Sequence, residues 1–507
     1  MSQKTLPFKY EESKRDRGIT SLGGLPLYAD LAYVTGLYES MRKHIQIRQD
    51  SQGWTDSQVI MSLILLNLAG GDCVEDLSVL EADEGFCRVL RRVELHDLSR
   101  KERREMERRW RKEKLRFVPS PTAVFRYLEA FHDEEEEKKR RPGKAFIPAS
   151  NQHLMELGRV NGDLMLFTQK KDWVEVATLD MDATLIETMK EEALYSYKGF
   201  KSYHPLNVWW AEQEVVLHTE FRDGNVPAGF ENLRVLKEAL EHLPEGMEKV
   251  YFRSDTAGYQ HDLLKYCEMG ENKRFGRIEF AVGCDVTEEF KKAVLEVEES
   301  QWHPTYKKIG KIKVKIPQEW AEVCFVPSAI AHSKKGPEYR YMAWREPLKQ
   351  RPLSGMEQGI LFPFPTLTMK DKSYKIFGLV TNREMEGEEL IHWYWERCGK
   401  SEEAHGVMKH DLAGGKLPSG SFGENAAWWC CMILAFNLNA LMKSLVLREE
   451  WKKKRMKAIR YGIINIPARI INHSRELIIQ LRKGHPSFNL LNNARARIIE
   501  LGCEPVG

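Results

Sequence analysis

TLDMDATLIE, residues 178–187, carries the strongest fold signal in the chain, because an apolar run typical of a buried strand contains two carboxylates. Side chains alternate between the faces of a strand, so Asp180, Asp182 and Thr184 share one face, with the carboxylates roughly 7 Å apart. Two unpaired buried carboxylates cost several kcal/mol unless a cation, a basic group or a proton compensates. The pattern predicts either a metal site or a strand end whose carboxylates cap turns or meet Arg or Lys.

Length and composition indicate a multidomain globular protein. The chain has 507 residues, of which 42% are hydrophobic, and a net charge of +3, so two to four domains are expected. No run approaches the roughly 18 apolar residues of a membrane span, and the apolar stretch AAWWCCMILAF suits a buried helix. Nine scattered cysteines without a C-x-x-C pair, and no apolar signal core at the N-terminus, favour a cytoplasmic protein with reduced thiols.

Hydrophobic periodicity divides the chain into four parts. Residues 1–150 are predicted to be helical with a basic linker, and residues 151–295 to hold a three-strand meander followed by helix, strand, helix and strand. Residues 296–384 contain short β-rich runs, including 311–316 and 321–326, and residues 385–507 are mostly helical. The expected fold class is an α/β core with a mixed sheet, a β-rich insertion and flanking helical regions.

Basic residues are concentrated in blocks. Residues 100–116 contain ten Lys or Arg against four Glu, and a second cluster lies at residues 452–460. Four glutamates at 134–137 followed by a basic run and Pro142 are typical of a linker or hinge. Such blocks are normally solvated surface, but they also supply the phosphate-binding surface that a nucleic-acid enzyme needs.

Two further carboxylates could join the first pair. Asp255 follows a short strand, and if this strand neighbours the first one, Asp182 and Asp255 meet at one edge of the sheet; otherwise Asp255 caps the following helix. Glu402, His405 and Lys409 lie on one face of a predicted helix, which is either solvated surface or part of a site. Three carboxylates without a Cys or His cluster favour Mg²⁺ or Mn²⁺, and two such ions could drive attack on a phosphodiester.

These motifs resemble those of DDE transposases of bacterial insertion sequences, in the group numbered thirteen-eighty, which is related to the insertion-sequence-four clan. The matching elements occur in order along the chain: LDMDAT at 179–184, KGFKSYHPL at 198–206, FRDGN at 221–225, RSDTAGY at 253–259 and RCGKSEEAH at 397–405. The runs AGGDCVEDL at 69–77 and FGENAAWW at 422–429 are also similar to that group. The resemblance covers about residues 20–500.

The resemblance implies a ribonuclease-H-like core with a β-rich insertion before the last catalytic acid. It implies that Asp182, Asp255 and Glu402 are catalytic and hold two Mg²⁺ or Mn²⁺ ions, with Asp180 as an alternative to Asp182. The clan usually leaves three residues between its signature Arg and the catalytic Glu, whereas four stand here. Either the helix starts after Gly399, or Glu403 is the ligand.

The DNA-contacting residues follow from the same resemblance. Arg397 and Lys409 are expected to hold the terminal phosphate, Tyr394 or a nearby tryptophan to stack near the cleaved end, and Arg253 to contribute to phosphate binding. The candidate stacking tryptophans are Trp209, Trp210, Trp393 and Trp395.

The implied activity is transposition of an insertion sequence. The N-terminal helical region would bind terminal inverted repeats and support dimerisation, and the core would cleave the element ends and join the 3′-hydroxyl to target DNA. The implied partners are double-stranded DNA and a second copy of the chain in a paired-end complex, in the cytoplasm at the bacterial nucleoid and without a membrane. The alternatives are a non-catalytic DNA-binding descendant of a transposase and a metal-dependent nuclease without strand transfer.

Overall fold

The computed structural model describes most of the chain. The described residues are 17–48, 53–96, 98–109, 116–309, 312–327, 337–348, 362, 364–370, 372–473 and 476–503. The basic segment predicted at residues 100–116 is helical over Arg100–Arg109, and its residues 110–115 lie outside the described ranges.

Within these ranges helices occupy both ends of the chain and strands occupy the middle. The α-helices are α1 (Pro26–Val34), α2 (Leu37–His44), α3 (Asp56–Ala69), α4 (Leu77–Ala82), α5 (Glu84–Glu94), α6 (Arg100–Arg109), α7 (Pro121–Leu128), α8 (Glu134–Glu137), α9 (Gln152–Lys171), α10 (Asn232–His242), α11 (His261–Glu268), α12 (Glu288–Leu295), α13 (Gly387–Trp395), α14 (Lys400–Gly406), α15 (Phe422–Leu441), α16 (Glu449–Lys452), α17 (Met456–Ile459) and α18 (Phe488–Cys503). The strands are β1 (Ile19–Thr20), β2 (Val176–Ala183), β3 (Ile186–Glu187), β4 (Leu194–Tyr195), β5 (Lys201–Tyr203), β6 (Leu206–Trp210), β7 (Val215–Glu220), β8 (Lys249–Ser254), β9 (Glu279–Cys284), β10 (His303–Ile309), β11 (Ile312–Val323), β12 (Arg340–Pro347), β13 (Thr366–Met369), β14 (Lys372–Thr381), β15 (Ala468–His473) and β16 (Glu476–Gln480).

A mixed sheet forms the centre of the protein. The described strands follow the order β10-β11-β12-β14-β9-β8-β2-β6-β7, and β13 pairs with β14. Strands β2, β6 and β7 form an antiparallel meander, whereas β2, β8 and β9 run parallel. Helices α10 and α11 lead into the two added parallel strands. This topology confirms the predicted α/β core, with its mixed sheet of the ribonuclease-H-like type and flanking helices.

The central position of β2 explains why its sequence is almost continuously apolar. Residues 177–181 are buried, because neighbouring strands flank β2 on both sides and helices cover the sheet. Any charged side chain on this strand therefore has to find its partner inside the protein.

The β-rich region continues the same sheet. Strand β14 pairs antiparallel with β9, and β12, β11 and β10 follow outward. Strand β11 (Ile312–Val323) includes residues 312–316 of the first predicted run and 321–323 of the second, so parts of two runs predicted separately form one strand, and residue 311 lies outside the described ranges. The register of the β10–β11 pair shifts between Pro304 and Tyr306, opposite residues 316–318, so a bulge accommodates Pro317 within β11.

The helical ends of the chain share one core around α15. Helix α3 packs against α15, and the Tyr28 hydroxyl donates to Asn439 Oδ1 at 2.8 Å. The stretch 422–446 is apolar enough by length and composition to cross a membrane, but 78% of its most apolar window is buried inside the protein. The prediction that AAWWCCMILAF forms a buried helix is therefore confirmed.

Glu137 and Arg140 attach the segment 134–142, which its composition suggests is a linker or hinge, to the core, whereas most of its other residues are exposed. The Glu137 carboxylate accepts hydrogen bonds from the backbone N–H groups of Phe422 and Gly423, at 3.0 and 2.8 Å, and so caps the start of α15. Arg140 makes a buried bidentate pair with Asp223, with both N–O distances at 2.7 Å. Other charges of the segment form exposed pairs within it, as Lys138 does with Glu134.

A small sheet joins the two ends of the chain. Strand β1 pairs with β15, which pairs with β16. The last two strands lie in the region predicted as mostly helical, because alternation in residues 468–480 produces a half-exposed hairpin.

Candidate active site

Asp182 and Asp255 lie side by side at one edge of the sheet. Strands β2 and β8 pair in parallel, with Met181 opposite Ser254, and each aspartate directly follows its member of that pair. Their backbones are therefore adjacent at the carboxyl ends of two parallel strands, where site residues commonly gather. Asp255 Oδ1 also accepts from the Ala257 backbone N–H at 3.0 Å, so this residue caps a short 3₁₀ turn as well.

Asp182 is held in an environment that opposes its negative charge. Burial raises the pKa of this carboxyl to about 7; the nearby charges of Asp255 and Glu402 act in the same direction, and Arg397 opposes them. Arg397 Nη1 lies 3.6 Å from Asp182 Oδ2, and the Asp182 side chain keeps 22% of its surface exposed. Among the described residues, the charges that act on Asp182 are thus those of Arg397, Asp255 and Glu402.

Asp180 has a different partner from Asp182. The Arg253 guanidinium donates two hydrogen bonds to the Asp180 carboxylate, from Nε at 2.6 Å and from Nη2 at 2.9 Å. Burial raises the pKa of Asp180, and the hydrogen bonds from Arg253 act in the opposite direction. Both carboxylate oxygens of Asp180, the alternative metal ligand, therefore accept hydrogen bonds from Arg253.

Arg253 is only 1% exposed, so its charge serves the interior of the fold. Its Nη1 donates to the backbone carbonyl of Trp393 and lies 3.5 Å from Glu396 Oε2. In place of the DNA phosphate expected from the sequence, Arg253 contacts Asp180 and the end of α13. A basic partner for Asp180 was among the options left open by the sequence, and Arg253 is that partner.

Glu402 reaches the site because the helix breaks at Gly399. Helix α13 ends at Trp395 and α14 begins at Lys400, and Gly399 adopts φ 82°, which favours glycine. The Gly399 N–H donates to Glu402 Oε2 at 2.6 Å. The helix therefore starts after Gly399, which was one of the two explanations for the extra residue between Arg397 and Glu402. Glu402 acts electrostatically on Asp182, whereas the nearby Glu403 acts on Lys443.

His405 and Lys409 continue from Glu402 along the edge of the sheet. Burial lowers the pKa of His405 to about 4, so the ring is neutral, and its Nε2 lies 3.4 Å from Asn207 Nδ2. Lys409 is on a π-helical turn and donates from Nζ to the Leu185 backbone carbonyl at 3.2 Å. Burial, with a smaller contribution from the Lys198 charge, lowers the pKa of Lys409.

The aromatic residues expected to stack on DNA are mostly packed within the fold. Tyr394 is buried, its hydroxyl donates to the Ser254 carbonyl at 3.3 Å, and burial raises its pKa to about 12. Trp210 is buried, and Trp209 packs edge-on against Phe436. The Arg383 guanidinium lies over the Trp393 ring, and Trp395 packs edge-on against Trp344. Trp209, Trp393 and Trp395 remain partly exposed, so their stacking on a nucleobase stays a prediction.

The donor set fits a hard divalent cation in charge and chemistry. Asp182, Asp255 and Glu402 supply oxygen ligands of the kind that Mg²⁺ and Mn²⁺ prefer, and their mutual repulsion would be relieved by a cation. Among the described residues, however, no three His, Cys, Asp or Glu side chains are already arranged to hold a metal ion. One oxygen each of Glu402 and Asp255 accepts a backbone N–H, which leaves the second oxygen of each carboxylate for a metal ion.

Comparison with known proteins identifies the family. The family model for the transposase DDE domain group 1 matches residues 12–503. The chain belongs to this transposase family. A search of curated proteins finds no match. Among solved structures, a piggyBac transposase synaptic complex with hairpin DNA, determined by cryo-EM, is similar over 89% of this chain and 82% of that chain, at 10% identity and a TM-score of 0.42.

Proposed function

We propose that the chain is the transposase of a bacterial insertion sequence of group thirteen-eighty, which cleaves the element ends and joins the 3′-hydroxyl to target DNA. The observation that carries this proposal is the placement of Asp182 and Asp255 directly after paired positions of two parallel strands, together with the action of the Asp255 and Glu402 charges on Asp182. Membership of the DDE transposase family supports the reaction class.

The three acids would hold two Mg²⁺ or Mn²⁺ ions. When bound, such ions activate a water or a 3′-hydroxyl and stabilise the leaving oxygen in an in-line displacement. Side chains of the protein lie next to these acids. Arg397, 3.6 Å from Asp182, keeps a positive charge beside the carboxylate, and the neutral His405 lies next to Asn207. Because its pKa is raised to about 7, Asp182 gains its full negative charge only above neutral pH or when a cation binds.

Two cations near the site would bind the DNA end. Arg397 projects from the segment between α13 and α14, and Lys409 follows α14, so both flank Glu402. Their charges suit the phosphates on either side of the scissile bond.

The remaining functional assignments are extensions of this proposal. The N-terminal helices would bind the terminal inverted repeats, and two copies of the chain would act on paired ends in the cytoplasm at the nucleoid. The basic helix α6 supplies positive charge for such contacts.

The test compares binding with cleavage on the DNA that flanks the coding region. We expect Asp182→Asn, Asp255→Asn and Glu402→Gln to abolish Mg²⁺-dependent cleavage while retaining binding to the repeat ends. Glu403→Gln is the matched control, because Glu403 interacts with Lys443, and it should still cut. Normal cleavage by either aspartate variant would refute the assignment.

The same assay separates the alternatives. Binding of the ends by the unmodified protein without any metal-dependent cleavage would indicate a DNA-binding descendant of a transposase. Cut products that never become joined to a target plasmid would indicate a nuclease without strand transfer.

A further inference from the structure

Exposed apolar side chains are concentrated on the segment that leads into the β4–β5 hairpin. Met189, Tyr195 and Tyr197 are 94%, 63% and 77% exposed. Single exposed apolar residues are ordinary, but three within nine positions are unusual, and this density indicates a segment that meets a partner. Of the tryptophans first considered for stacking, Trp210 is buried and the others are only partly exposed, whereas Tyr197 presents most of its ring to solvent.

The tip of the hairpin is a hydrogen-bonded turn. Strands β4 and β5 pair antiparallel, and Gly199, at φ 83°, closes the turn. The Gly199 N–H donates to the Ser196 carbonyl at 3.0 Å, and the Ser196 N–H donates to the Phe200 carbonyl at 2.8 Å. Tyr197 and Lys198 therefore occupy the two central positions of a hydrogen-bonded turn, and their backbone needs little further ordering when a ligand binds.

This tip lies beside the catalytic edge of the sheet. Strand β3, which follows β2 after two residues, pairs with β5 through Ile186 and Tyr203. The Tyr197 ring centroid is 6.4 Å from that of His204, a buried residue on which the charges of both Asp255 and Lys198 act. His204 is thus a neighbour of both the hairpin tip and Asp255.

The charges at the tip favour an anion. Lys198 Nζ lies 5.8 Å from the Tyr197 ring centroid, and its charge also acts on Lys409. Within the described residues Lys409 donates to the Leu185 backbone carbonyl and Lys198 lies over the Tyr197 ring, so these contacts of the two ammonium groups are with neutral partners. The acids of this segment, Glu191 and Glu192, precede β4 and so lie at the base of the hairpin, away from the tip. Two neighbouring ammonium groups repel each other until an anion is bound.

We propose that Tyr197 and Lys198 form a nucleotide-binding subsite, in which the Tyr197 ring stacks on an unpaired base of the DNA end and Lys198 binds the adjacent phosphate. An exposed ring beside a lysine matches the chemistry of single-stranded nucleic-acid binding, since any base can stack on an aromatic face while the ammonium follows the backbone. A base inside a duplex is already stacked, so the subsite selects unpaired nucleotides at the end. This inference rests on the proposed function, because it takes the DNA end to be the substrate.

The experiment measures binding without cleavage. Repeat-end duplexes carrying 2-aminopurine either in an unpaired overhang at the cleavage site or in the paired region are titrated with protein in EDTA. We expect Tyr197→Ala to weaken binding of the overhang DNA by roughly 5- to 100-fold, as for loss of one stacked base, and to remove the change in 2-aminopurine fluorescence. Binding of fully paired DNA should change little.

Two conservative controls sharpen the test. Tyr197→Phe should restore both readouts, because the ring is retained. Trp173→Ala removes a comparably exposed aromatic residue, 59% exposed, that precedes the opposite end of β2, and it should leave both readouts unchanged. Lys198→Gln should lower the dependence of log affinity on log salt by about one phosphate contact.

The outcomes distinguish this inference from the proposed function. If the unmodified protein cuts its ends and Tyr197→Ala binds overhang DNA equally well, the subsite is refuted and the transposase assignment stands. If the unmodified protein neither binds nor cuts the ends, both are overturned. Selective loss of overhang binding in Tyr197→Ala, with Tyr197→Phe unaffected, establishes the subsite.

Discussion

The two aspartates of β2 should respond in opposite ways to the same substitution. Asp180→Asn leaves the Arg253 guanidinium charged and buried without its carboxylate, and removing one partner of such a pair costs about 3–5 kcal/mol. The amide oxygen can still accept one hydrogen bond, so we expect a value near 3 kcal/mol, at the lower end of this range. Asp182→Asn instead removes a charge that its surroundings oppose, so it should not destabilise the fold.

The effect of Asp182→Asn on the free energy of unfolding depends on pH. Asp182 ionises near pH 3.8 in the unfolded chain and at about 7 in the folded protein, so the folded state is penalised progressively between these values and fully above pH 7. The corresponding free energy has an upper bound of about 4 kcal/mol, because relaxation of the side chains and counter-ions reduces the repulsion. Asp182→Asn should therefore match the unmodified protein near pH 4 and exceed its stability increasingly towards pH 8.

Thermal unfolding without divalent cations, followed by circular dichroism from pH 4 to pH 8, measures both effects. Asp180→Asn should lower the midpoint by at least a few degrees at neutral pH. At a temperature where both variants are folded, Asp180→Asn should retain measurable cleavage, whereas Asp182→Asn should show none. The reasoning fails if Asp180→Asn is as stable as the unmodified protein, or if Asp182→Asn is destabilised across the whole pH range.

Three further outcomes are expected. Millimolar Mn²⁺ should raise the unfolding midpoint of the unmodified protein but not of Asp182→Asn, since only ligands that bind the folded state stabilise it, and a thermal-shift titration measures this. Arg140→Ala should destabilise the protein by about 3–5 kcal/mol in urea unfolding by leaving buried Asp223 unpaired; an unchanged midpoint would contradict the attachment of residues 134–142 to the core. Gly387→Val should cost about 1–3 kcal/mol in the same assay and reduce cleavage more than DNA binding, because a Cβ there collides with the Trp320 indole.

The sequence predicted those parts of the fold that follow from local periodicity and from the order of helices and strands along the chain. Alternation in residues 203–225 indicated the β6–β7 meander, and the sequence from 230 to 284 indicated the helices and strands of the parallel half. The break before Glu402 was anticipated through Gly399, a residue that readily adopts positive φ. The hairpin β15–β16 was missed, because a short alternating run within a helical region gives a weak signal.

The partner of Asp180 was harder to predict, because it depends on strand register. Asp180 lies two residues before Asp182, and Arg253 lies two residues before Asp255. Once the aspartates are placed side by side on parallel strands, this equal spacing puts Arg253 opposite Asp180, as the register confirms. The signal was therefore present in the sequence, but a single sequence does not indicate which strands are neighbours or in what register they pair.

The β-rich region also has a mechanical consequence for the site, because it positions the helix that leads to Glu402. Asn382, directly after β14, accepts from the Phe280 N–H at 2.7 Å and donates to the Ile278 carbonyl at 3.0 Å, so it fixes the return of the chain to the core. Helix α13 then packs through Gly387 against Trp320 of β11.

At its other end α13 is tied to the catalytic strands. Arg253 contacts the Trp393 carbonyl, and the Tyr394 hydroxyl donates to the carbonyl of Ser254, the residue before Asp255. Because α13 is held by the β-rich region at one end and by β8 at the other, the break at Gly399 can turn α14 towards Asp182 from a fixed starting point. The insertion therefore determines where the third carboxylate stands, so substitutions in it that shift α13 should impair cleavage without touching any of the three acids.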